Sequence, residues 1–477
     1  MAGLFTALNS GKTALTVNQK SIEVIGNNIS NVNTEGYSRQ RAELSPYPAM
    51  NFGDFFIGQG VIVSNVRRDH DVFVTNQLQE KSIEFGLQSG QTNGLAELER
   101  IFNISEENLS TEIDRFFDSW QELTANPAGL VERDIVIQRG ELLAEKFHNT
   151  VNDLAKVKDN INDSIISKVD AINSKISEIA ELNTRIFNIE IQGQTANSAR
   201  DRRDMLAREL ATTLGIQSYP DSKGMLAVQL PGGLPLVQGT EAMSLEARTT
   251  GTDLDLVLHA GGTERTLGLH NLGGEFEGLV HIRDVLIPDV KNDIDRLAWE
   301  LSGAVNAQHY VGAGLDSVTN RNFFTINQSP VVPPPPPPPD PWVDAARNIS
   351  VSLTDSSHVA AAAAPTPPAQ VGPGDNRNAL ILANLDDSFL INGADTFNAY
   401  YGKTTAKVGI EANQNQLALG GAEDAMNQLQ NLRDGFAGVS LEEEMINLIQ
   451  YQRGFESSAK FLSTVDEMMV SLMGIKR

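Results

Sequence analysis

The chain has 477 residues, 40% of them hydrophobic, and a formal net charge of −24. That length supports two or three domains with separate cores, and the acidic balance argues against a nucleic-acid binder, which needs a basic face. Cysteine is absent, which leaves no disulfide framework or thiol nucleophile, and no apolar run nears the ~18 residues of a membrane span.

In chain order, the first predicted element is a helix. Leu4, Leu8, Gly11, Leu15, Asn18, Ile22, Ile25, Ile29 and Val32 follow one another at alternating steps of four and three. That rhythm is a heptad seam whose apolar row faces a partner helix. The turn cluster over 31–36, ending in Gly36, stops the helix with a left-handed cap. Pro46 and Pro48 exclude helix from the next segment, and residues 59–66 read as a strand. Helices follow over 73–102 and 110–124, the second closed by Asn126-Pro127. The longest, over about 131–191 in one or two pieces, keeps near-heptad spacing at Ile165, Val169, Ile172, Ile176, Ile179 and Ile186, with Asn183 filling one step. A helix over 198–214 has Ser198 as its expected cap and Asp201 at the capping-box position. Asp201, Arg202, Arg203 and Asp204 read as a solvated helix face with local ion pairs.

The texture changes at Gly215. Short apolar runs punctuated by Gly232-Gly233, Gly261-Gly262 and Gly273-Gly274 predict a small β-rich insertion. Helix returns over about 282–308. Pro333–Pro339 predicts a polyproline II strut of about 22 Å, and the Ala360–Ala364 tract is expected to be irregular. A long helix follows over 396–436. Ser440 caps the last helix, with Glu443 at the capping-box position. Leu441, Met445, Leu448, Gln452, Phe455, Ala459, Leu462, Asp466, Met469 and Met473 repeat the rhythm of the N-terminal seam. Isolated helices are marginal in water, so both ends are expected to fray alone and to order against each other and against neighbouring subunits.

A search for chemistry returns nothing. No two of the seven histidines are spaced i,i+4, which removes a helical zinc-protease site. Gly11-Lys12-Thr13 imitates the end of a P-loop, but Thr6 stands where the first glycine belongs and no strand precedes it. No serine is flanked by glycine on both sides at two-residue spacing, so there is no nucleophile elbow. Asp253 and Asp255 alternate with apolar residues as the wet face of a strand. The reading is therefore of a protein that is not an enzyme, with no catalytic, cofactor-binding or metal residues.

Residues 25–40, with Asn31, Asn33, Thr34, Gly36, Tyr37, Arg39 and Gln40, resemble the turn signature of the bacterial flagellar axial protein family. The Gly36-Tyr37-Ser38-Arg39-Gln40 ending is similar to that of its hook-associated branch, whose members join hook to filament. Further matches run along the chain: residues 56–61, Asn126-Pro127 with Arg133, Arg202-Arg203-Asp204, Gly374-Asp375-Asn376, and the terminal helix from Ser440 to Lys460. The resemblance implies an uncleaved route through the flagellar type III export channel, and a place outside the cell at the hook–filament junction. It implies a homo-oligomer in a helical axial layer, with the flagellar hook protein on one side and the second junction protein on the other. It also implies a cytoplasmic export chaperone on the last helix, for which Leu448, Phe455, Leu462 and Met469 are the candidate anchors.

The expected architecture is mainly α with one small β domain. Residues 1–40 and 440–477 form paired axial coiled-coil helices. Residues 41–215 and 375–439 form a helical rod-like body, 216–281 a small outer β domain, and 282–374 a helix followed by the Pro/Ala-rich excursion. Two alternatives stay open: a flagellin-like filament subunit or second junction protein, and a secreted enzyme or adhesin on a coiled-coil stalk.

Overall fold

A computed structural model describes residues 2–51, 56–102, 108–250, 253–326, 340–364 and 370–474. The helices among them are α1 (Ala2–Ser30), α2 (Val72–Phe102), α3 (Leu109–Ala125), α4 (Leu130–Glu190), α5 (Asn197–Leu214), α6 (Gly274–His281), α7 (Ile287–Val311), α8 (Ala345–Asn348), α9 (Arg377–Ala383), α10 (Phe397–Ala437) and α11 (Leu441–Gly474). The protein is mainly helical, with small antiparallel sheets. Its contacts divide it into two compact units. The first comprises Met1–Leu87, Ser167–Glu277 and Gly420–Arg477; the second comprises Gln88–Ile166 and Gly278–Leu419.

In the first unit, β1 (Gln40–Pro46) and β4 (Val61–Arg68) form a hairpin, extended by β2 (Met50–Asn51) and β3 (Phe56–Ile57). The register slips between Glu43 and Leu44, the local signature of a bulge. Two small sheets follow α5. One holds β5 (Gln217–Pro220), β6 (Leu226–Gln229), β7 (Pro235–Gln238) and β8 (Glu241–Ala242) in sequence order. The other holds β9 (Ser244–Thr250), β10 (Asp253–Ala260) and β11 (Thr263–Leu267), with β10 central.

Both sheets hang on asparagines of α4. Asn183 donates to the Leu226 and Gly239 carbonyls at 2.9 and 2.7 Å and accepts from Leu226 N at 3.0 Å. Ten residues earlier Asn173 does the same to β9, donating to Leu245 O at 2.7 Å and accepting from Leu245 N at 2.8 Å. A side-chain amide carries one donor and one acceptor group, as a peptide unit does, and so can satisfy a strand's backbone from a helix. Asn183, which fills the one polar step of the seam, is thus a docking residue.

The second unit is built on aromatic packing. Phe116, Trp120, Phe323 and Phe324 meet with ring centroids 4.8–6.4 Å apart, and Phe117 stacks on Phe397. Asn306 clamps β13 (Phe324–Ile326), which pairs with β14 (Ile349–Val351). Arg133 is fully buried after the Asn126-Pro127 turn. Its guanidinium donates to the Pro127 and Val359 carbonyls, and burial pushes its pKa down to about 10.

His309 is buried in the same core, its Nδ1 2.7 Å from Arg321 O and its Nε2 accepting from Ala360 N at 3.0 Å. Burial lowers its pKa from 6.5 to about 4, with Arg321 and Arg133 adding to the shift and the Arg321 carbonyl opposing it. Between those values the unfolded chain binds the proton and the folded chain does not. The stabilisation is therefore complete above pH 6.5 and is lost as pH falls towards 4, by roughly 3 kcal/mol. His309→Gln should flatten the pH dependence of the unfolding midpoint over that window; an unchanged slope would remove His309 from the account.

α4 runs over the expected span as one unbroken helix. Several boundaries differ from expectation. Helix resumes at Gly274, so 274–281 is α6 rather than β structure. A π-helical segment, Ile282–Leu286, then leads into α7, where Pro288 lacks the N–H of a regular helix. Ser198 does not cap α5, whose N-cap is Ala196 with no side-chain bond. Asp201 and Arg203 are buried, not solvated, because Asp201 is engaged by Ser38 and Arg68, and Arg203 by Asn183. The alanine tract is ordered core: Ala360, Ala361 and Ala362 are buried, and β15 (Ala362–Ala363) pairs with β12 (Gly312–Ala313). Only a small side chain fits there, since a Cβ on Gly312 would already stand 3.0 Å from that of Ala360. Pro333–Pro339 lies outside the described residues.

Candidate assembly site at the joined chain ends

α1 lies against α11, and the contacts fix an antiparallel pair. Asn28 Nδ2 donates to Glu444 Oε2 at 3.0 Å, Asn18 Nδ2 to Ser458 Oγ at 3.3 Å, and Gly11 faces Phe461 and Leu462. Glycines mark the close approaches: a Cβ on Gly11 would sit 3.0 Å from both side chains, and one on Gly454 would sit 2.7 Å from Asn18 Oδ1. Gly11 and Asn18, which weaken the seam as an apolar row, are among the points at which the two helices touch.

Of the predicted seam residues, Ile25 is buried and Leu4, Leu8, Leu15, Ile22, Ile29 and Val32 are half-buried. On α11, Leu448, Phe455, Leu462 and Met469 are half-buried, whereas Leu441 and Met445 are about half exposed. Sequence reasoning missed Val17, Ser21 and Asn28 on α1, and Glu444 and Val465 on α11, all of them buried. On α1 the hairpin covers a second face, and on α11 Glu444 is enclosed by Asn28 and Arg39. Gly60, at φ +102°, rests on Ser10 and Thr13, where a Cβ would come within 2.1 Å of Thr13 Oγ1. Asn9 donates to Gln59 Oε1 at 2.9 Å. Val17 lies one helical step beyond Thr13 on that row, and Asn28 ends it.

The turn after α1 joins several elements. Asn31 donates to Asn27 O and accepts from Thr34, Asn33 is exposed, and Gly36 takes φ +77°. Asn28 then clamps the start of β1, donating to Gln40 O and accepting from Gln40 N, both at 2.9 Å. Tyr37 donates to Asn28 Oδ1 at 2.9 Å; burial, and then the carboxylates of Asp201 and Glu444, push its pKa up to about 12.

Arg39 is the hub. Its guanidinium pairs with buried Glu444 at 2.6 Å and with exposed Glu443 at 2.8 Å, and its amide donates to Ala437 O at 2.7 Å. Burial lowers the Arg39 pKa, but pairing with the two glutamates outweighs it and the net shift is upward. Glu443 is therefore spent on Arg39 rather than on closing a capping box, and its amide reaches Ser440 Oγ only at 3.5 Å. On the other side, Ser38 donates to Asp201 through its amide at 3.0 Å and its hydroxyl at 2.8 Å. Arg68 bridges Asp201 and Asp204 at 2.6 and 2.7 Å. Ten residues of turn thus tie α1, the hairpin, α5 and α11 into one polar knot.

Outside the knot, α11 carries uncovered apolar side chains: Ile446, Ile449, Met468, Val470 and Met473 are 45–66% exposed. Patches of that kind mark interaction sites. Among the described residues there is no group of three or more His, Asp or Glu placed to hold a metal ion, and no helix is long and apolar enough to cross a membrane. The arrangement is suited to binding other chains.

Three family models match the chain. The flagellar hook-associated protein FlgK helical domain matches residues 95–324, the C-terminal model of flagellar basal body rod FlgEFG proteins matches 436–475, and the flagella basal body rod protein model matches 8–37. The flagellar hook-associated protein 1 of Salmonella typhimurium is 26% identical, covering 98% of this chain and 99% of its own. Its counterpart in Bacillus subtilis is also 26% identical, covering 98% of each. In fold, the flagellar hook junction protein FlgK from Burkholderia pseudomallei is similar with a TM-score of 0.67 at 17% identity, over 75% of this chain and 99% of that one.

Proposed function

We propose that this chain, which belongs to the flagellar hook-associated protein 1 family, is the structural adaptor that joins hook to filament in a bacterial flagellum. The observation that carries the reading is the antiparallel pairing of the chain ends around Arg39 and Glu444, with apolar side chains of α11 left uncovered beside it. A lattice subunit needs a preformed core to keep its register and a free apolar face to bury against its neighbours. In a strain lacking this gene, cells should carry hooks without filaments, and cryo-electron microscopy of complemented cells should place the chain in a layer between the two. Normal filaments on the deletion strain would end the proposal.

The finer reading is of export without a cleaved signal, hook protein below and a second junction protein above. A cytoplasmic chaperone holds α11 beforehand through Leu448, Phe455, Leu462 and Met469. The support for that placement is physical: Leu462 lies over Gly11 in the paired state, so a chaperone on this face competes with α1 and delays closure. Truncation after Gly438 is expected to abolish chaperone binding in calorimetry. Undiminished affinity would move the site elsewhere, with the N-terminal helix next in line.

A further inference from the structure

Two asparagines in the chain are followed by glycine, Asn93 and Asn392, and the fold treats them in opposite ways. The pairing matters chemically, because glycine has no side chain to keep its amide nitrogen away from the preceding side-chain carbonyl carbon. Asn93-Gly94 lies inside α2, where the helix fixes the backbone. Gly94 is buried there, and a Cβ on it would stand 3.0 Å from Ile282.

Asn392-Gly393 lies in the link between α9 and α10, and both residues are exposed. Both are left-handed, at φ +55° and +67°. Three main-chain bonds of 3.1 Å close the turn, joining Ile391 to Ala394 and Asp395. Among the described residues the Gly393 amide has no acceptor. Arg296 of α7 reaches this turn from the side. Its guanidinium lies 4.7 Å from the centre of the Trp342 ring and donates to Asn392 Oδ1. That bond engages the oxygen of the Asn392 amide and polarises its carbonyl.

We infer that Asn392 is a site of spontaneous deamidation in the folded chain, whereas Asn93 is protected. The Gly393 nitrogen loses its proton to solvent base and attacks Cγ of Asn392. Nδ2 departs as ammonia, having taken up a proton from solvent, and a five-membered imide remains. Water then opens the imide at either carbonyl, which leaves aspartate or isoaspartate at position 392. The net change consumes one water and releases one ammonia. Ring closure requires the turn to open, since the nitrogen must come within about 3–3.5 Å of Cγ. Exposed turns open locally at small cost, but the middle of a packed helix does not. Aspartate would give Arg296 a carboxylate partner. Isoaspartate would lengthen the main chain between Ile391 and Asp395 and disturb the register of their bridge.

The test is to incubate the full chain at physiological temperature in mildly alkaline buffer, with and without denaturant. Peptides carrying positions 93 and 392 are then followed by mass spectrometry and by enzymatic methylation of isoaspartate. In the folded chain conversion at Asn392 is expected to be more than about tenfold faster than at Asn93. In denaturant the two rates should converge, because both sites then have the same local sequence chemistry. Asn392→Gln should remove the signal at 392 and leave that at 93 unchanged. A folded-chain rate at Asn392 no higher than that at Asn93 would overturn the inference. So would the same large difference between the two sites persisting in denaturant, which would take the fold out of the account.

Discussion

Replacing Arg39 with alanine is expected to cost about 3–5 kcal/mol in the stability of the unit that holds the chain ends. The charge left behind is that of Glu444, whose side chain is 2% exposed and whose remaining polar contact is the amide of Asn28. An ion pair at this depth contributes little net stability when intact, yet breaking one side of it strands a desolvated charge. Glu444→Gln is the milder change, at about 1–3 kcal/mol, since an amide still accepts from Asn28 and Arg39 keeps Glu443. Denaturant titration of the full chain gives both values, and hydrogen exchange in α1 and α11 locates the loss. An Arg39→Ala penalty within the ±0.5 kcal/mol of an ordinary surface change would show that the pair holds nothing.

Ile25→Asp is expected to abolish incorporation into the junction. Ile25 is 5% exposed, so a carboxylate there either stays charged at a large desolvation cost or takes up a proton. The same change at Leu462 acts from the other helix, over Gly11. Both variants should keep the aromatic core around Trp120, which tryptophan fluorescence can follow. Particles that assemble from either variant with normal morphology would refute the assignment of the seam.

The sequence showed the helices well and their surroundings poorly. Apolar spacing placed α1, α2, α3, α5, α10 and α11 to within a residue or two of where they lie, because periodicity and caps are local signals. Periodicity also says which residues share a face, but not how many faces are covered. Val17, Ser21 and Asn28 went unnoticed because they lie on a second face of α1, beside the heptad row, where the hairpin also packs. Asp201 and Arg203 looked like surface residues on composition alone. Their partners Ser38, Arg68 and Asn183 come from other elements, and Ser38 lies 163 positions from Asp201. The turn signature was legible as a motif, but its purpose was not. Only the folded chain shows Arg39 reaching Glu443 and Glu444 some 400 positions away.

That separation governs timing. Asn28 and Glu444 are 416 positions apart, and closing a loop of that length costs on the order of 5 kcal/mol beyond the constant term, by logarithmic scaling. Contacts this remote form after local ones have shortened the effective loop. The α1–α11 contact is therefore expected to form after the local packing of α1 on the hairpin, late in folding. A chain cut short anywhere between the hairpin and Glu444 keeps the hairpin against α1 but lacks the partner for Asn28 and Arg39 on α11. Its first helix stays open to proteases, and the defect is visible at one end of the molecule wherever along the chain it arose.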